Sequence, residues 1–74
     1  MLHEHNVKLY IEHTEKIAEP DIQLLNMKQI KGATYVLYMC HNNKTKYVAM
    51  IQDTNICSYK PDDELLRDLF PEFC

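Results

Sequence analysis

Two apolar runs flank a short polar segment in the middle of the chain, and this pattern constrains the fold more than any other. The runs are Thr34 to His41 and Lys46 to Gln52, and Asn42-Asn43-Lys44-Thr45 lies between them. Both are rich in Val, Tyr and other residues that favour a pleated, half-buried surface. Asparagine tolerates left-handed backbone, so the polar segment reads as a hairpin turn. Ala33 to Gln52 is therefore expected to form an antiparallel β-hairpin.

Pairing across that turn sorts the side chains into faces, because successive residues of a strand point to opposite sides. A two- or a four-residue loop centred on Asn43-Lys44 sets odd positions of the first strand against even positions of the second. One face then carries Tyr35, Leu37 and Met39 with Val48 and Met50. The other carries Val36, Tyr38 and Cys40 with Tyr47, Ala49 and Ile51. An antiparallel sheet with a wet face alternates apolar and polar residues, and neither of these faces is polar. Each needs a cover.

The flanking segments supply candidates. Residues 6–19 fit a strand through Val7, Leu9, Ile11 and His13. They fit a helix over more positions, through Val7, Tyr10, Ile11, Thr14, Ile17 and Ala18, with Asn6 as N-cap and Pro20 as the stop. Residues 22–30 follow neither period cleanly and read as a strand, with Ile22, Leu24 and Ile30 on one face and Leu25 and Met27 on the other. Lys31-Gly32 is a turn, with glycine available for positive φ. Thr54 to Tyr59 extends the meander. Asp62 caps a final helix whose first turn is acidic (Asp63, Glu64) and whose apolar stripe is Leu65, Leu66, Leu69 and Phe70, ending at Pro71. The expected fold is α+β: an antiparallel three- to four-stranded β-meander with a C-terminal helix and an N-terminal helix or strand, in one domain over residues 1–74.

Length makes cover a pressing matter, since a chain of 74 residues buries a modest fraction of its surface. In a three-stranded sheet with a helix before and a helix after, both helices commonly sit on one side. The second face would then be open, and an exposed apolar patch of several hundred Å² marks an interaction site. On this reading Val36, Tyr38, Tyr47, Ala49 and Ile51 bind a partner. The alternative is that the helices flank the sheet and the domain is self-contained. Tyrosines are frequent in this chain without tryptophan, and they suit both an interface and a half-buried sheet.

Other chemistry finds less support. The net charge is −3, and Arg67 is the one arginine, which disfavours nucleic acid as a partner. A basic edge from Lys28, Lys31, Lys44, Lys46 and Lys60 is the alternative to weigh. The order helix–βββ–helix is also that of double-stranded-RNA-binding folds, but Asp62-Asp63-Glu64 is the wrong sign for phosphate at a helix start. Three cysteines without paired spacing, together with His3, His5, His13 and His41, make a poor zinc pattern. Cys40 and Cys57 read as small buried apolar residues, and no cofactor or metal is expected. A Cys–His nucleophile pair lacks a sequence signature, no glycine-rich phosphate loop is present, and helix capping accounts for the run of carboxylates. No membrane span or signal peptide is evident, so reduced thiols in the cytoplasm are the expectation. The bias toward Lys, Ile and Asn fits AT-rich coding, as in phages and mobile elements. The expected function is a small non-enzymatic protein-interaction module that self-associates or modulates a larger host protein through an open sheet face or edge.

Overall fold

The computed structural model describes residues 2–73. Its elements run α1 (Leu2–Glu15), β1 (Ile22–Ile30), β2 (Ala33–Cys40), β3 (Thr45–Gln52), β4 (Asn55–Tyr59), α2 (Asp63–Leu69) and a 3₁₀ turn (Pro71–Phe73). The four strands form one antiparallel sheet in chain order, so it is a meander with β1 and β4 at its edges.

The hairpin spans the expected Ala33 to Gln52, but its loop lies at 41–44, one residue earlier than a loop centred on Asn43-Lys44, so every cross-strand partner shifts by two residues while the faces stay as expected. Tyr38 faces Tyr47, Leu37 faces Val48, and Cys40 and Thr45 close a four-residue loop. The asparagines serve that loop in a way their left-handed tolerance did not suggest, because the positive φ of 59° belongs to Lys44. Asn43 accepts the Thr45 amide at 3.2 Å through its side chain, and Asn42 accepts the Asp21 amide at 2.7 Å. The loop thus also fastens the start of β1. At the opposite end of the sheet, Lys31 (φ 49°) and Gly32 (φ 81°) form the two-residue link between β1 and β2. Positive φ at both central residues is the turn geometry whose twist matches a hairpin.

Two features of β1 explain its mixed periodicity. The register against β2 shifts between Leu24 and Asn26, a β-bulge that inserts one residue into the alternation. Ile22, Leu24 and Met27 consequently share the side of Cys40, Tyr38 and Val36. Leu25 and Ile30 pack on the other side, against the cluster of Leu37 and Val48. The expected grouping of Ile30 with Ile22 and Leu24, and of Met27 with Leu25, is corrected by that one extra residue.

The N-terminal segment is a helix, beginning and ending earlier than expected. Asn6 lies inside α1, and its side chain accepts a hydrogen bond from Ser58 at 2.5 Å. The helix stops at Glu15, and Lys16 takes a left-handed φ of 58°, so the stop precedes Pro20. Helix α2 matches its sequence signal closely. The Asp62 carboxylate accepts the Leu65 amide at 2.8 Å, which satisfies one of the free donors of the first turn.

The two helices cover opposite faces, which corrects the expectation that both lie on one side. Helix α1 packs over β3 and β4. Its Val7 and Ile11 join Val36, Tyr38, Cys40, Tyr47 and Ala49 in one buried cluster. Helix α2 brings Leu69 and Phe70 onto Leu37 and Val48 in the other. The meander is therefore the middle layer of three, and the two apolar faces of the hairpin are two halves of a core.

Candidate interaction surface

The five side chains expected to bind a partner lie beneath α1. Val36, Tyr47 and Ala49 are fully buried, Tyr38 is 1 % exposed, and Ile51 is half-buried at the rim of the same cluster. Their polar tips are engaged within the domain. The Tyr38 hydroxyl shares a 2.6 Å hydrogen bond with His3 Nδ1, and burial, aided by the Glu4 carboxylate, pushes the Tyr38 phenol up to about 12. The Tyr47 hydroxyl accepts from Asn43 at 3.1 Å, and the Tyr47 ring meets Tyr10 edge-on at 5.9 Å. Burial also raises the phenol of Tyr59.

The exposed apolar surface lies instead on the edge strand β1. Leu24 is 41 % and Met27 49 % exposed, and both point to the α1 side of the sheet. Helix α1 sits over β3 and β4, so the outermost strand projects past it. Leu24 and Met27 are neighbours along that projecting rim, with half-buried Ile22 continuing the row. Leu9, 40 % exposed, is isolated on the outer side of α1.

The backbone edge of β1 is blunted at its centre. The Met27 amide donates to Asn26 Oδ1 at 2.8 Å, and Asn26 Nδ2 donates to Glu72 Oε1 at 2.7 Å. Lys28 Nζ donates to the Leu69 carbonyl at 2.6 Å. It also lies 4.0 Å from Glu72 Oε2 and 5.3 Å from the centre of the Phe70 ring. A bulge, an occupied amide and an inward-reaching lysine are devices that keep an edge strand from pairing with a foreign one. The β1 rim thus offers apolar side chains in preference to backbone.

The remaining sequence candidates are scattered. Cys40 is buried on the α1 side, with its thiol 3.5 Å from Asn42 Oδ1. Cys57 pairs with Met50 on the α2 side and is exposed, so the sheet separates the two thiols. Cys74 lies outside the described residues. His41 Nε2 is 2.8 Å from Gln23 Oε1, and His5 and His13 are exposed on α1. Among the described residues no group of three His, Cys, Asp or Glu side chains is placed to hold a metal ion.

The lysines are divided. Lys31 lies in the β1–β2 link, while Lys44, Lys46 and, just past Tyr59, Lys60 lie toward the opposite end of the sheet, roughly 25 Å away for strands of this length. Lys28 is committed to the C-terminal segment. A cleft of about 300 Å³ between β3 and α2 is lined by Lys46, Asp63, Leu66, Arg67 and Phe73. No helix of the described residues is long and apolar enough to cross a membrane. Comparison with known protein families, curated proteins and solved structures returns no match.

Proposed function

We propose that the chain is a small, non-enzymatic, cytoplasmic protein-interaction module that docks on a larger protein through the β1 rim. The observation that carries this reading is the exposure of Leu24 and Met27 side by side on an edge strand that α1 leaves uncovered. Blunting of the backbone by the bulge and the Asn26 side chain favours side-chain docking over strand addition. The separation of cysteines and histidines supports a binding role over nucleophilic or metal chemistry. The net charge of −3 and the distance of Lys31 from the other turn lysines favour protein over nucleic acid as the partner. The compositional bias toward Lys, Ile and Asn fits a phage or mobile-element product acting on a host protein, as an inhibitor or modulator.

The test is a pull-down from the native host, read by mass spectrometry, with the wild-type chain beside a Leu24→Glu/Met27→Glu variant. Both side chains are about half exposed, so the variant is expected to keep its circular dichroism spectrum. A partner enriched by the wild type and lost by the variant is the expected outcome. Equal capture of the same partner by both chains would remove the β1 rim from the function.

A further inference from the structure

We propose that β4, the opposite edge of the sheet, is a self-recognition edge: two copies pair their β4 strands antiparallel about a two-fold axis at Cys57, joining their sheets into one. This contact uses the edge remote from the β1 rim, so either can fail without the other.

The first support is the contrast between the two edges. Strand β1 carries a bulge, an occupied amide and a lysine. Strand β4, Asn55-Ile56-Cys57-Ser58-Tyr59, pairs with β3 without a register shift and holds no charged residue and no proline. Its one protective feature is its shortness.

The pairing pattern supplies the second support. Gln52 and Asn55 flank the two-residue link Asp53-Thr54, and the pair that closes such a link exchanges both of its hydrogen bonds. Alternation then directs the backbone groups of Asn55, Cys57 and Tyr59 toward β3, and those of Ile56 and Ser58 outward. Setting Ile56 opposite Ser58 of the second copy satisfies the outward groups of both strands at once. In that register Cys57 faces Cys57 of the second copy as a pair without backbone hydrogen bonds. The Cα atoms of such a pair are about 4.5 Å apart, within disulfide range.

The surroundings fit the same arrangement. Helix α1 lies over β3 and β4. With strands about 4.8 Å apart, the two-fold brings the two α1 helices to about 10 Å, a normal helix-packing distance. Beyond the strand, Lys60 of one copy falls beside Thr54 and Asp53 of the other. Five residues on each side make a small interface, so the association is expected to depend on concentration.

Sedimentation over a wide concentration range tests the proposal. The wild-type chain is expected to pass from monomer to dimer. Cys57→Lys places like charges opposite each other at an exposed position and is expected to weaken dimerisation about ten-fold or more. An independent reading uses Cys74→Ser with diamide, which takes up the two thiol hydrogens as one disulfide forms, and a dimer linked through Cys57 is expected. A chain that stays monomeric at every concentration would overturn the proposal. So would a dimer indifferent to Cys57→Lys, or one that Leu24→Glu/Met27→Glu abolishes while Cys57→Lys leaves it intact.

Discussion

The two faces of the sheet are covered by different means. On one side α1 is 14 residues long and sinks Val7 and Ile11 into a cluster where seven side chains are buried. The polar groups there are answered locally, Tyr38 by His3, Tyr47 by Asn43, and Ser58 by Asn6. On the other side α2 is 7 residues long. The cluster there buries Leu37, Val48, Leu69 and Phe70, with a ring of half-buried residues around them. A helix this short is marginal alone, and its far end is fastened from outside by Lys28 and Asn26 of β1. The difference teaches that a long cover can hold by side-chain burial, whereas a short one needs its termini fixed.

Several substitutions put that comparison at risk. The largest effect is expected from Phe70→Ala, which removes the main anchor of α2 and should cost about 3–5 kcal/mol. Amide exchange should then accelerate through α2 first, while β2 and β3 stay protected. Ile11→Ala, of similar depth under α1, should cost about 2–5 kcal/mol and loosen the whole sheet together. Equal, global exchange in both variants would mean that the two halves of the core unfold as one.

Asp62→Ala sharpens the comparison at lower cost. Loss of the cap should destabilise by about 1 kcal/mol, readable as a shift in the denaturant midpoint and as faster exchange at Leu65. An unchanged midpoint would mean that side-chain packing alone holds α2.

A further effect is one of pH and reports on the α1 side. The Tyr38 phenol stands at about 12 in the fold against 10.0 when unperturbed. A folded-state value raised in this way gives stability that is complete below pH 10 and is lost as pH rises toward 12. Tyrosinate absorbance should show the buried phenols, Tyr38 with Tyr47 and Tyr59, ionising later than the others, with Tyr38 titrating together with unfolding. Tyr38→Phe should flatten the alkaline decline, and an unaltered pH profile would assign the decline to other groups.

Much of this was legible in the residues. Alternation in two runs around a polar loop gave the two faces of the hairpin, with Tyr38 and Tyr47 on the same one, and Asp62 before an acidic first turn marked the start of α2. The uneven periodicity of residues 22–30 was the trace of the bulge, unreadable until the partner strand was known. Exposure of Leu24 and Met27 was not legible, because an apolar residue on an edge strand looks the same whether or not a helix reaches over it. From sequence Val36, Tyr38, Tyr47 and Ala49 read as a contact surface for the converse reason: their cover comes from residues far away in the chain.

Within the hairpin the sequence by itself determined which side chains share a face, because alternation along an unbulged strand is a local property of the backbone. The tertiary structure decided what lies on each face. A helix joined to a sheet by a short link can fold over either side, and local pattern does not choose between them. The choice falls to packing: with two apolar faces and two apolar helix stripes, one helix on each side buries both, and the surface left over moves out to the edges.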